Sequence, residues 1–170
     1  MEDKIQIEKA REGCNESFEY LIKSRKEKLY KIAFCYVKNE HLALEAVAEA
    51  TYKSYIAIKK LKQIEFFDSW LARIVINEAI NILRKQKRTV PLSEYEEVMT
   101  SSENDYNNEK LDLQRALEKI KKVEKEIIVL KYFGDLSFSQ IGKMLEKTES
   151  TVKTIHYRAL HKIKIILQGE

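Results

Sequence analysis

Between Trp70 and Arg88 the chain reads WLARIVINEAINILRKQKR. At roughly 100° per residue this stretch sorts into two faces. Leu71, Val75, Ala79 and Ile82 share one side, flanked by Ile74 and Leu83. That stripe is wide enough to dock on a core. Trp70, Arg73, Asn77, Asn81, Arg84 and Arg88 share the other side, within an arc of roughly 80° by the same arithmetic. The same period recurs elsewhere. Residues 1–13 are polar with a weak helical pattern. Ser17 opens a clear one that closes near Asn39, with Phe18, Leu21, Ile22, Leu29, Ile32, Ala33 and Tyr36 at helical spacing. A second helix is expected over residues 41–61, burying Val47, Ala50, Ser54, Ile58 and Leu61, with Glu45 and Glu49 one turn apart on its surface. Residues 62–68 read as a short loop carrying Phe66 and Phe67 ahead of the Trp70 helix. Helices joined this closely can enclose one core.

The pattern then lapses. Residues 89–108, TVPLSEYEEVMTSSENDYNN, hold the only proline, five acids and no base, and read as a mobile linker. Periodicity resumes at residue 109. Leu113, Ala116, Leu117 and Ile120 make one stripe, and Ile127, Leu130 and Ile128 another. Gly134 is expected to cap the second of these helices at its C-terminus. Ser137 followed three residues later by Gln140 is a capping box, and Ile141 and Leu145 continue a short helix. Thr148 is the expected N-cap of a longer helix whose buried stripe is Val152, Ile155, Ala159, Ile163 and Ile166. Lys153, Thr154, Tyr157, Arg158 and His161 point away from that stripe. A short helix, a tight turn and a longer helix with polar groups in its first turns spell a helix-turn-helix, whose second helix meets the major groove N-terminus first.

The fold class is therefore all-α: two small helical domains, residues 1–88 and 109–170, joined by a flexible acidic linker at 89–108. Four glycines and one proline leave little turn chemistry for a β-protein. A chain that is 44% hydrophobic and 34% charged is a folded, highly charged, soluble protein. Net charge is only +4, but its layout is uneven: +5 over residues 1–88, −5 over 89–108 and +4 over 109–170. Two basic blocks suggest a polyanionic partner. There is no apolar signal segment at the N-terminus and no apolar run near 18 residues, so a cytoplasmic protein is expected. Cys14 and Cys35 are too few for a metal site. Cys35 falls in an apolar stripe and reads as a buried thiol of a reduced compartment.

Candidate chemistry follows from the two polar faces. An aromatic, two amides and three guanidiniums stack on bases, bond base edges and neutralise phosphates. A solvated surface helix is the plain alternative for the Trp70 face, and an ordinary αα-hairpin for the C-terminal pair. Catalysis is not indicated: no His, Cys or Ser sits in a nucleophile arrangement, and no phosphate loop, metal cluster or cofactor motif occurs. Neither a cofactor nor a small-molecule substrate is expected. Two further alternatives are a dimeric helix-turn-helix regulator acting alone and a purely protein-binding helical module.

The residues 42–55 (LALEAVAEATYKSY) with 66–88 (FFDSWLARIVINEAINILRKQKR), then 116–120 (ALEKI) with 125–164, resemble a bacterial RNA polymerase sigma factor of the extracytoplasmic-function (ECF) group. The first block is similar to sigma domain two and the second to sigma domain four. Three positions differ from the usual pattern. The glutamine of an Asp-x-x-Gln-Glu motif is missing between Glu45 and Glu49. Ile120-Lys121 stands where a Leu-Pro pair is common, and Ser150 where a glycine precedes Thr-Val. The resemblance implies a transcription initiation factor that binds core polymerase through its clamp and flap and directs it to promoter DNA. It assigns Glu45 and Glu49 to the clamp. It assigns residues 62–68 with Trp70, Arg73, Asn77 and Asn81 to the minus-ten strand. Arg84, Lys85, Lys87 and Arg88 would take phosphates. Lys153, Thr154, Tyr157 and Arg158 would read the minus-thirty-five duplex. It further implies an acidic linker in the RNA-exit path and an anti-sigma factor, usually membrane-anchored.

Overall fold

The structure is a computed structural model that describes residues 2–89 and 108–169, without the side chains of residues 89 and 108–110. The expected linker, apart from its two end residues, lies outside the described residues. Every regular element among the described residues is helical. The chain divides into two compact units, 1–89 and 90–170.

The first unit holds α1 (Glu2–Arg11), α2 (Asn15–Lys23), α3 (Lys26–Val37), α4 (Glu40–Ala57) and α5 (Phe67–Thr89), with 3-10 turns at Ile58–Lys60 and Ile64–Phe66. Leu21, Ile32, Val37, Ile58, Phe67, Leu71 and Val75 fill its core. Helix α4 faces this core with Ala43, Ala46, Ala50 and Ser54, all fully buried. Such small groups let α3 and α5 approach the α4 backbone closely. Of the expected stripe, Ala50, Ser54, Ile58 and Leu61 are buried; Ala43 and Ala46 extend it, and Val47 is only half-buried.

The single helix expected from Ser17 to Asn39 is two helices. In a continuous helix the Arg25 amide would bond Leu21 carbonyl. Here it donates to Ile22 O instead, at 3.0 Å. Leu21 O is taken by Ser24 Oγ at 3.0 Å and Arg25 Nη1 at 3.3 Å. The buried Arg25 guanidinium then bonds Asp3 of α1 at 2.9 Å and Asp68 of α5, and lies 5.2 Å from the centre of the Phe67 ring. One arginine thus ends α2, starts α3 and ties both to α1 and α5. The second break also differs from expectation. Lys38 turns left-handed (φ 54°) to end α3, and Asn39 caps α4, its Oδ1 accepting from Leu42 N at 3.0 Å. The expected loop 62–68 contains a 3-10 turn, and its Phe67 is the first residue of α5 and fully buried.

The second unit holds α6 (Asn108–Lys119), α7 (Lys122–Tyr132), α8 (Phe138–Met144) and α9 (Glu149–Leu167). Ala116, Leu117, Ile120, Ile128, Ala159 and Ile163 form one cluster, with Leu113, Leu160 and Ile166 against it. Glu124 is buried, accepts from the Lys121 amide at 2.9 Å and takes Lys162 Nζ at 2.6 Å. This carboxylate caps the start of α7 and fastens it to α9.

Candidate nucleic-acid and protein-binding faces

Helix α5 carries the first face. Leu71, Val75, Ala79 and Ile82 are buried as the pattern requires, which turns Arg73, Asn77, Arg84 and Arg88 outward; Lys85 is exposed beside them. Trp70 and Asn81 are half-buried at the margin. The Trp70 ring lies 5.8 Å from that of Phe67 at a 40° tilt, so a core residue backs it. Glu78, nearly buried, is neutralised by Lys53 of α4 at 2.7 Å. The one carboxylate in the middle of α5 is thereby withdrawn from the basic face. Sequence reasoning misses this pair: Glu78 lies about 20° from Leu71, inside the apolar face, and the period does not name its partner.

Helix α4 carries a second face. Glu45 and Glu49 are exposed, as expected. Around them Leu44, Tyr52 and Ile56 are each more than half exposed, at 56%, 63% and 57%. With Tyr55 and Ala48 these residues occupy an arc of roughly 140° at 100° per residue. Contiguous exposed apolar side chains mark a protein interface. The signal for it is present in the sequence: alanines on the inner side leave the large apolar residues nowhere to go but out.

The helix-turn-helix is α8 and α9. Ser137 Oγ accepts from Gln140 N at 3.1 Å, and Gln140 Oε1 accepts from Ser137 N at 2.9 Å, completing the expected capping box. Thr148 Oγ1 accepts from Thr151 N at 3.2 Å and caps α9. The turn between them is made by Glu146 in the left-handed region (φ 54°) and by Gly142, where a Cβ would stand 2.7 Å from Lys147 O. Only glycine admits that crossing. The left-handed cap expected of Gly134 after α7 belongs instead to Asp135 (φ 56°), while Gly134 is needed because a Cβ there would meet Leu130 O at 2.7 Å.

On α9, Lys153, Thr154, Tyr157 and Arg158 are all exposed. Lys153 Nζ pairs with Glu149 at 2.7 Å, which raises the lysine above its ordinary value and keeps it charged. Thr154 Oγ1 donates to Ser150 O at 3.0 Å. Val152, Ala159 and Ile163 are buried, whereas Ile155 and Ile166 are only half-buried. The side chain that takes the vacated inner position is His156. It stacks on Tyr132 at 5.7 Å, meets the edge of Phe138 at 4.9 Å, and its Nε2 lies 3.1 Å from the Tyr132 hydroxyl. Burial, with Lys131 nearby, holds this imidazole below its ordinary value and neutral. No periodicity argument places a polar ring there.

Cys35 is buried and Cys14 half-buried; neither is in a disulfide. Among the described residues no group of three or more His, Cys, Asp or Glu could hold a metal ion, and no helix is long and apolar enough to cross a membrane.

Both units match known protein families. Residues 21–89 match the Sigma-70 region 2 family, and residues 110–163 the Sigma-70, region 4 family. The chain is 35% identical to the RNA polymerase sigma factor SigV of Bacillus subtilis (strain 168) over 150 residues, covering 88% of this chain and 90% of that one. It is 27% identical to the ECF RNA polymerase sigma factor SigW of the same organism, covering 91% of each. The solved structure of CnrH in complex with the cytosolic domain of CnrY shares the fold. Its TM-score is 0.78 at 19% identity, over 99% of this chain and 98% of that one.

Proposed function

The chain belongs to the sigma-70 family of RNA polymerase sigma factors, in its extracytoplasmic-function group, and from this premise we propose how its two units divide promoter recognition. It is a transcription initiation factor that directs core RNA polymerase to specific promoters, and not itself a catalyst.

The unit of residues 1–89 binds the polymerase clamp and the minus-ten element. The clamp site is the outer face of α4. Glu45 and Glu49 supply charge there, and Leu44, Tyr52 and Ile56 supply area. The minus-ten site is the outer face of α5. Trp70 stacks on an unpaired base, Asn77 and Asn81 bond base edges, and Arg73 contacts the same strand. Arg84, Lys85 and Arg88 hold phosphates without reading sequence. The unit of residues 90–170 binds the polymerase flap and the minus-thirty-five duplex, with α9 in the major groove and Lys153, Thr154, Tyr157 and Arg158 facing it. A stacked base contributes roughly 1–3 kcal/mol and a good base-edge pair a similar amount. The protein works in the cytoplasm and is held inactive by an anti-sigma factor, a membrane-anchored one. The likeness to CnrH, solved with the cytosolic domain of a second protein, supports that part of the reading.

The observation that carries the residue assignments is the division of α5. A fully buried stripe fixes the helix, and the stacking, amide and guanidinium groups all lie opposite it. Run-off transcription with core polymerase over a promoter library tests the reading. Wild type is expected to select paired minus-ten and minus-thirty-five sequences. Variants of α5 should lose selection at the first element and variants of α9 at the second. Unchanged selection at both elements in every variant would reject the assignments.

A further inference from the structure

Tyr132 ends α7, outside the recognition helix, yet more than half of it is exposed (57%). It is held there by His156 of α9, through ring stacking at 5.7 Å and the 3.1 Å contact from Nε2 to the tyrosine oxygen. The direction of that hydrogen bond follows from the tautomer. His156 Nδ1 is the one buried side-chain nitrogen or oxygen among the described residues without a partner. A neutral imidazole carries one hydrogen. On Nδ1 it would be an orphaned buried donor, which folded proteins avoid more strictly than an under-used acceptor. The hydrogen therefore sits on Nε2, and His156 donates to the Tyr132 oxygen. The hydroxyl hydrogen of Tyr132 is left free, on an exposed side chain.

Two lysines gather on Phe138, the ring that meets His156 edge-on, and one of them, Lys153, is paired with Glu149 at 2.7 Å. Lys131 Nζ lies 4.8 Å from the centre of the Phe138 ring and donates to Leu136 O at 3.3 Å. Lys153 Nζ is 5.9 Å from the centre of the same ring. Tyr157, on the face of α9 assigned to the duplex, meets His156 edge-on at 5.0 Å. A tyrosine hydroxyl beside a groove-reading helix, in a unit where two lysines meet the Phe138 ring that packs on its histidine partner, matches the donors that fix a protein on a sugar–phosphate backbone.

We propose that Tyr132 is a DNA-contact residue, its hydroxyl donating to one backbone phosphate beside the groove that α9 enters, with His156 as the positioning residue. This rests on the placement of α9 in the minus-thirty-five duplex given above. The contact adds affinity and register without sequence information.

The test uses the full chain bound to core polymerase. Promoters carry single methylphosphonates, which are uncharged, at successive phosphates of the minus-thirty-five element. Wild type should lose about tenfold in affinity when one particular phosphate is replaced, the size of one charge-assisted hydrogen bond. Tyr132→Phe keeps the stacked ring. It should bind the unmodified promoter about tenfold more weakly, keep its base preferences and be indifferent to that phosphate. In a His156→Leu background the Tyr132→Phe substitution should cost less, because the hydroxyl is no longer aimed. Wild-type affinity of Tyr132→Phe, a changed base preference, or equal sensitivity to every phosphate would each overturn the contact. An undiminished cost in the His156→Leu background would overturn the role of His156. Arg158→Ala separates the proposal from its premise. If that variant loses minus-thirty-five preference while Tyr132→Phe behaves as wild type, only the phosphate contact fails. If neither variant alters minus-thirty-five dependence, the placement of α9 fails and the contact with it.

Discussion

Asn77 is exposed on α5 and Asn81 half-buried, both opposite a stripe that is sealed in the core. Replacing either with alanine should leave folding within about 0.5 kcal/mol of wild type, as surface changes do. Each should nonetheless impair strand opening, read as permanganate reactivity of thymines around the start site with polymerase present. On a pre-melted bubble the defect should shrink to loss of base capture. Opening equal to wild type in both variants would make this face structural. Trp70→Ala is a less clean probe. The ring rests on Phe67, so its removal is expected to cost stability as well as stacking. The helical period alone puts all these side chains opposite the buried stripe. It does not place Arg25, Glu78, Glu124 or His156. A helical period reports which side faces inward; it does not report that a charged or polar group on that side has found a partner on another helix. Each of the first three sits against such a partner: Asp3 and Asp68, Lys53, and Lys162.

At the scale of the element, α4 and α9 solve opposite packing problems. Helix α4 buries alanine and serine and leaves Leu44, Tyr52 and Ile56 in water. Removing those three side chains should therefore cost the fold little. Tyr52→Ala with Leu44→Ala is expected to weaken binding to core polymerase by one to two orders of magnitude, about 1.4–2.8 kcal/mol. The melting temperature should stay near that of wild type. A shift in melting temperature without loss of polymerase binding would contradict the assignment. Helix α9 buries Val152, Ala159 and Ile163 and projects Lys153, Thr154, Tyr157 and Arg158. Lys153 must leave Glu149 to reach DNA, but the exposed pair is worth little and presents a small barrier. Lys153→Ala and Arg158→Ala should each reduce transcription through the minus-thirty-five element, by roughly 1–3 kcal/mol of base discrimination. The readout is promoter strength with that element randomised; equal strength across all upstream sequences in both variants would remove their role. Helix positions and capping residues of this unit are legible because Ser137, Gln140 and Thr148 announce themselves chemically. The breaks are harder: besides Gly13 and Gly169, the left-handed residues are Lys38, Asp135 and Glu146, and not the expected Gly134. Gly134 and Gly142 serve close backbone approach, which leaves no local mark in sequence.

At the scale of the whole molecule, two buried titratable groups make the C-terminal unit sensitive to acid. Burial alone would raise Glu124, but the Lys162 ammonium and the Lys121 amide outweigh it and hold the carboxyl below its ordinary value of 4.5. Its stabilisation is full above that value and is lost as pH falls through it toward the depressed folded value. His156 is held below its ordinary 6.5 by burial and by Lys131, so its neutral form stabilises the fold above pH 6.5 and the benefit declines on acidification below it. Unfolding followed between pH 8 and about pH 2 should show stability falling in two stages. Glu124→Gln should cost roughly 1–3 kcal/mol at neutral pH and flatten the lower stage. His156→Leu should flatten the upper one. Parallel curves for wild type and both variants would count against these groups. In the N-terminal unit the buried guanidinium of Arg25 has a consequence for cooperativity. It joins Asp3 of α1 to Asp68 in the first turn of α5. A short helix packed at the edge of a unit can open by itself, exchanging its amide hydrogens independently. Tied through Arg25, α1 should open only when the base of the Trp70 helix opens too. Hydrogen exchange would then report one shared opening free energy for α1 and the first turn of α5 in the native protein. In Arg25→Met the two segments should exchange at separate rates, with α1 the faster.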